Sequence, residues 1–318
     1  MCQAQQKRRP SQIKVGLASK RRSFVSIGQQ QTIDTIRVMQ KQEEYYYSKS
    51  IVNYLADLPK TAVDANCRLV MARWCQEIAN ICNHQTDTVA VTMNILDRFV
   101  STPAGKSVLF DPSQFQLATL TAFYTAIKIN EPEVMSTELV SGTSKGAHSP
   151  KDIEAMERKM LNAINFRVNP PTAMSFVRLL LDLMPDLEFY ERERIQMVAK
   201  SYIDKIIQDY EFCSIPASSI ALACLLNAME SVLDDYYLDT LKKTEIENTM
   251  MAEATQIRDL RTTLDQVFII SASNSQQARR AKTTPSRDQH ATKRSNNIQR
   301  SPKSVSSFRA TLQSHGPV

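Results

Sequence analysis

Glycine is nearly missing from this sequence: there are 6 in 318 residues, where average usage near 7% would put about 22. That scarcity argues against sheets joined by tight turns and against glycine-cradled phosphate loops. Long hydrophobic runs are missing too. No segment approaches the roughly 18 apolar residues of a membrane span, and the start, MCQAQQKRRP, lacks the apolar stretch of a signal peptide. These absences predict a soluble, intracellular protein with no membrane partner. The four histidines, at 84, 148, 290 and 315, show no ligand spacing, so neither a metal nor another cofactor is expected. None of the six cysteines (2, 67, 75, 82, 213 and 224) forms a C-x-x-C pair. Cys67, Cys75 and Cys82 recur along one helical face and read as buried thiols. Nor is there a G-x-G-x-x-G or an H-E-x-x-H, and catalysis is not assigned.

Charge is present but divided. Residues 1–42 hold nine Lys/Arg against one acid, and residues 271–318 again nine against one. The body between them, 43–270, carries 21 bases and 31 acids, a net of −10. A mildly basic chain therefore hides an acidic body with two basic tails. The tails are polar and poor in aliphatic residues, and cannot bury enough surface to offset chain entropy. Disorder is expected for 1–35 and 271–318, with clusters such as Lys7-Arg8-Arg9 and Lys20-Arg21-Arg22 suited to nuclear import or weak nucleic-acid contact.

The body reads as helix after helix. An N-terminal helix is expected within 36–59, where Tyr47, Ile51, Tyr54, Leu55 and Leu58 keep helical spacing up to Pro59. Next comes a stripe of Val63, Cys67, Val70, Met71, Trp74, Ile78 and Ile81, opened by Asp64 as a candidate cap. Helices follow at 86–101, at 111–130 behind Asp111-Pro112, and at 149–166 behind Ser149-Pro150 with Asp152. After Asn169-Pro170-Pro171 a second series runs through 172–185, 189–212, 216–230 and two weaker helices within 234–270. The fold class is all-α: two tandem five-helix domains, 60–168 and 169–270, with an extra N-terminal helix.

Specific strings then carry a family resemblance. CRLVMARWCQEI (67–78), NILDRFVS (94–101), FQLATLTAFYTAIK (115–128), the pair Met156-Glu157 and FRVNPPTAMSF (166–176) resemble, in order and spacing, the cyclin box. The second series resembles a second box mainly in topology, and the glycine-poor, compact chain looks somewhat like diatom-type cyclins. The resemblance implies a regulatory subunit that binds and activates a cyclin-dependent serine/threonine protein kinase in cell-cycle control, in nucleus and cytoplasm. By the same resemblance Lys128 and Glu157 match the residues that hydrogen-bond the kinase backbone, with Ile129, Leu161, Phe166 and Val168 as apolar surroundings. Cys67, Val70, Met71, Trp74 and Gln116 would form a groove for basic-apolar docking peptides of substrates and inhibitors. The plain alternatives are surface charges for Lys128 and Glu157 and a core aromatic for Trp74.

Two readings stand on the residues themselves. Arg68 and Asp97 lie near the apolar faces of different helices and should pair, because a lone buried charge is costly. In the C-terminal tail Thr284-Pro285-Ser286-Arg287 and Ser301-Pro302-Lys303 make Thr284 and Ser301 candidate sites for a proline-directed kinase. Two other functional classes remain open. A cyclin-box transcription factor would suit the basic tails, but a body of −10 repels phosphates, so nucleic acid is disfavoured as a partner. A helical scaffold without a kinase is separated by whether a kinase co-purifies.

Overall fold

The computed structural model describes residues 27–47, 50–56, 58–59, 62–233, 250 and 255–267, and every regular element among them is helical. The helices are α1 (Ile27–Gln42), α2 (Ala65–Ile81), α3 (Thr86–Val100), α4 (Pro112–Asn130) and α5 (Thr137–Thr143). They continue with α6 (Pro150–Ala163), α7 (Ala173–Asp182), α8 (Phe189–Ile206) and α9 (Ala217–Val232), and with α10 over 255–267.

Side-chain caps set where several of these helices begin. The Asp64 carboxylate accepts from the Cys67 N–H at the start of α2, and Asp111 accepts from Ser113 ahead of the proline that opens α4. At α6 the cap is reciprocal: Ser149 accepts from the Asp152 N–H while Asp152 accepts from the Ser149 N–H. This fixes the register that turns Ile153, Met156 and Met160 inward and leaves Glu157 on the shoulder of the helix.

Two cores result. The first gathers Met71, Cys75, Ile78, Ile95, Phe99, Phe115, Phe123, Ile127, Ile153 and Met160 from α2 to α6. α3 lies at its centre and is buried nearly all round, against α4 above all. The second gathers Phe176, Leu180, Ile195, Ile203, Leu222, Leu225, Met229, Leu260 and Leu264 from α7 to α10, with α9 in the central place. The first unit has its five helices. Four of the second are described, and the weaker helix expected before α10 falls outside the described residues.

The N-terminal helix differs from expectation. It begins at Ile27, inside the stretch expected to be disordered, and its α-helix ends at Gln42 in place of continuing to residue 59. Ile36 explains the early start: it is fully buried in the second core, with Met39 packed beside it. A π-helical turn, Glu43–Tyr47, ends the element because Glu43 is pulled inward, where its carboxylate accepts from the Ser218 N–H and hydroxyl. Glu43 thereby caps α9, whose own Pro216 offers no side-chain cap. Burial pushes the Glu43 carboxyl up, and the Ser218 hydrogen bonds pull it partly back. Beyond the turn, Tyr54 and Leu55 leave helical geometry to bond Asp97 and the Tyr210 hydroxyl. α8 also stops at Ile206, short of 212, in a turn whose carbonyls accept from Arg68.

The remaining expectations on the tails, 1–26 and 268–318, lie outside the described residues. Cys75 and Cys224 are buried, but Cys67, Cys82 and Cys213 are half-buried. Cys67 and Cys82 stand at the two ends of α2, where the helix leaves the core.

Polar contacts join the two units. Asp87, buried in the first turn of α3, accepts from Thr172 and Ser175 at the start of α7 and pairs with Arg178 at 2.7 Å. The Gln76 amide donates to the Asp204 carbonyl at 2.8 Å, and Arg73 donates to Gln208 at 3.1 Å.

Candidate functional site

α4 is apolar almost to its end, and its last turn carries Lys128 and Ile129 out to solvent. There Lys128 Nζ lies 2.5 Å from Glu157 Oε1 and 4.3 Å from the centroid of the Tyr124 ring. The same Glu157 oxygen accepts from the buried Thr125 hydroxyl at 2.9 Å. Thr125 and Tyr124 thus hold the two charges from behind, and the pair meets the surface already paired. Leu161, one turn after Glu157 on α6, is half-buried.

The chain then turns sharply. Asn165 and Phe166 both take left-handed backbone angles, φ 54 and 55°, and the Phe166 N–H closes the turn on the Leu161 carbonyl at 2.8 Å. Neither residue is glycine, so surrounding contacts must hold the turn. Those contacts come from Arg98, 3% exposed, which donates to the Arg167 carbonyl at 2.6 Å, to the Ile164 carbonyl and to the Ser50 hydroxyl. The Tyr47 ring covers its guanidinium at 4.7 Å, and burial pushes its pKa down to about 10. The outcome is a clamped turn with Phe166 at its tip, 64% exposed, while Val168 returns to half-buried packing against the first core.

Beside this turn stands the N-terminal segment. Tyr46 lies under the Arg167 guanidinium at 3.7 Å, the Tyr47 hydroxyl donates to the Asn169 carbonyl, and Tyr45 is 70% exposed. The structure therefore brings Lys128, Glu157 and Thr125 together and adds the clamp and the tyrosines to the surface around Phe166. Sequence reasoning missed Arg98, Thr125, Tyr45 and Tyr46. Arg98 directly follows Asp97 in a buried helix; with Asp97 committed to Arg68 and Asp87 about three turns away, its guanidinium needs carbonyls or an aromatic ring for partners.

The other predicted residues are placed as follows. Arg68 and Asp97 meet in a bidentate pair, at 2.9 and 2.7 Å, both 2% exposed, and the Tyr54 hydroxyl donates to the same carboxylate at 2.7 Å. The remaining guanidinium nitrogen donates to the carbonyls of Ile207 and Gln208, so the pair reaches into the second unit. Of the groove residues, Met71 is turned into the core at 6% exposure, while Cys67, Val70, Trp74 and Gln116 are half-buried. Trp74 meets Phe123 of α4 edge-on, with ring centroids 6.1 Å apart. Thr284 and Ser301 lie outside the described residues.

The string Gly105-Lys106-Ser107 superficially suits a phosphate loop, yet Val100 stands where the loop's first glycine would be. Gly105 has a packing role instead: a Cβ there would fall 2.0 Å from the Phe99 carbonyl oxygen. Among the described residues no group of three or more His, Cys, Asp or Glu could hold a metal ion, and no helix is long and apolar enough to cross a membrane.

Comparison with known proteins follows the two-unit division. Residues 34–169 match the cyclin N-terminal domain and residues 171–303 the cyclin C-terminal domain. A G2/mitotic-specific cyclin-2 of Medicago sativa is 27% identical over 193 residues, which cover 59% of this chain and 55% of the relative. G1/S-specific cyclin-D1 of Mus musculus is 24% identical over 197 residues, 62% of this chain and 64% of the relative. The chain thus spans between 55% and 64% of the length of these two curated relatives. Among solved structures, a viral cyclin from herpesvirus saimiri superposes with a TM-score of 0.56 at 12% identity, over 74% of this chain and 96% of that one.

Proposed function

The chain belongs to the cyclin family, and from that premise we propose that it is the regulatory subunit of a cyclin-dependent serine/threonine protein kinase acting in cell-cycle control. The observation that carries the reading is the surface around Lys128 and Glu157. A buttressed ion pair stands near an aromatic tip that a folded protein would otherwise have reason to bury. Such a surface suits a partner that offers backbone hydrogen-bonding groups to the two charges and an apolar pocket to Phe166. The subunit itself performs no chemistry. It binds the active arrangement of the kinase more tightly than the inactive one, in which the kinase's mobile helix has swung out and its Lys–Glu pair is broken. Turning a population from 1:99 to 99:1 takes a difference in affinity of about 5.5 kcal/mol. The test is capture of partners by the full chain followed by mass spectrometry: a cyclin-dependent kinase should co-purify, with protein kinase activity in the captured material. Capture without any kinase would favour the scaffold reading.

The same proposal extends to substrate choice. Cys67, Val70, Met71 and Trp74 recur at helical spacing along α2, and with Gln116 of α4 they would make the groove for basic-apolar docking peptides. Trp74→Ala should weaken phosphorylation of proteins that carry basic-apolar docking motifs by about five- to thirtyfold, the scale of a lost aromatic anchor. Phosphorylation of short generic peptides should stay unchanged. Equal loss on both substrates in steady-state kinetics would mean that Trp74 serves only the core contact with Phe123.

The basic tails fit a nuclear as well as cytoplasmic location. Thr284 and Ser301 are the residues a bound proline-directed kinase would meet at high local concentration.

A further inference from the structure

The exposed face of α8 is at odds with a surface helix of a monomer. Phe189 is 77% exposed and Tyr190 and Met197 are each 66% exposed, three of the largest apolar exposures in the described structure within nine residues of one helix. Positions 189, 193 and 197 fall on one helical row, and 190, 194 and 197 on the next, so the three side chains share a face. The opposite face carries Ile195, Ala199 and Ile203 into the second core.

Carboxylates surround the aromatic stripe. Residues 182–197 contain Asp182, Asp186, Glu188, Glu191 and Glu193 against Arg192 and Arg194, and Arg192 is held by Asp182 at 3.1 Å and by the Met184 carbonyl. Asp186, Glu188 and Glu193 are exposed. The surface therefore offers aromatic rings and negative charge together, which is the chemistry that receives guanidinium and ammonium groups carried on a polar chain. Arg194, which lies 5.4 Å from the Tyr190 centroid, already makes such a contact within the helix.

A segment with that chemistry begins close by. α10 runs alongside α8 and α9: the Tyr202 hydroxyl donates to Asp265 at 3.0 Å, and Asn227 donates to the same carboxylate at 2.9 Å. The described residues of α10 reach Val267, two residues after Asp265, and residues 268–318 follow it in the sequence. At 1.5 Å per residue, Tyr202 stands about 7 Å from Met197 and about 20 Å from Phe189 along α8. Lys282 is fifteen residues beyond Val267, and a chain of that length can reach about 50 Å. Residues 268–318 carry nine Lys/Arg and one acid.

We infer that the basic segment 279–303 of this chain docks on the aromatic and acidic face of α8, with its arginines over Phe189 and Tyr190 and its lysines against Asp186, Glu188 and Glu193. Attachment near Tyr202 makes the association intramolecular, so modest contacts suffice at an effective concentration in the millimolar range. The inference needs no kinase, and it stands or falls separately from the kinase-binding reading.

Zero-length carbodiimide coupling of the full chain, read by peptide mass spectrometry, tests it. An equal mixture of unlabelled and ¹⁵N-labelled chains separates links within one molecule from links between two. Lys282, Lys293 and Lys303 should couple to Asp186, Glu188 and Glu193 within single chains, and the yield should fall at least fivefold in 1 M salt, where screening acts within about 3 Å. Phe189→Ala with Tyr190→Ala and Met197→Ala leaves every carboxylate in place and should cause a similar loss. Arg279→Glu with Arg280→Glu alters no described residue and should do the same without touching the fold. Links spread evenly over the acidic body, links chiefly between labelled and unlabelled chains, or yields unchanged in either variant would each overturn the inference.

Discussion

Replacing Lys128 and Glu157 together by alanine should lower the affinity for the kinase by about 30- to 5,000-fold while leaving the fold intact. The range follows from the roughly 2 to 5 kcal/mol that a hydrogen-bonded charge at a buried interface is worth. Fold retention follows from position: the Lys128 side chain is 32% exposed at the end of α4, and Glu157 sits on the shoulder of α6 outside the Ile153, Met156 and Met160 row. Removing both charges also avoids stranding either one. Glu157→Ala alone would leave Thr125 its bond to the Thr121 carbonyl, whereas Lys128→Ala alone would leave a carboxylate facing the partner with only Thr125 to hold it. The double variant should therefore fold at least as well as Lys128→Ala. Quantitative co-purification beside thermal unfolding checks both halves of the expectation. Unchanged capture of the kinase with an unchanged unfolding midpoint would remove the pair from the interface.

Fold and site were legible to different depths, for physical reasons that particular residues make plain. Helix starts were readable where one side chain decides them: Asp64, Asp111 and Ser149 each act within three residues of their own position. The heart of each unit was readable because α3 and α9 bury nearly all their faces, and a continuous apolar helix has few other places to go. The N-terminal helix was misplaced because its position is decided from far away. Ile36 inserts into a core built from α7 to α10, and Glu43 finds its partner at Ser218. No local pattern around Glu43-Glu44-Tyr45-Tyr46-Tyr47 announces that one of two adjacent glutamates will be buried. The same holds for Asp87, which reads as an ordinary first-turn acid and proves to hold the start of α7. Arg98 is intermediate. Its burial was implied by Phe99 and Leu96 beside it, but its partners are backbone carbonyls, which a sequence does not distinguish from one residue to the next.

The buried pair of Arg68 and Asp97 leads to the largest effect on stability. Either Arg68→Ala or Asp97→Asn should cost about 3 to 5 kcal/mol, because removing one partner leaves the other charged or polar group without compensation in the core. Arg68 should be the costlier of the two. Besides the bidentate contact it donates to the carbonyls of Ile207 and Gln208, so its loss also releases the end of α8 from α2 and α3. A single cooperative urea transition in the parent chain should then separate toward two, one for each unit, as the coupling between them weakens. Lysine should not rescue position 68, since a single ammonium cannot replace a planar fork that serves a carboxylate on one side and two carbonyls on the other. Replacing both partners by apolar residues of similar volume, Arg68→Met with Asp97→Leu, should recover part of the loss within the first unit, where a filled apolar core substitutes for an ion pair. It should not recover the coupling to α8, because methionine offers the Ile207 and Gln208 carbonyls no donor. Urea titrations followed by near- and far-ultraviolet dichroism would show this as a raised midpoint with the two transitions still apart. A double variant that restored one transition would mean that the α8 carbonyl bonds do not couple the units.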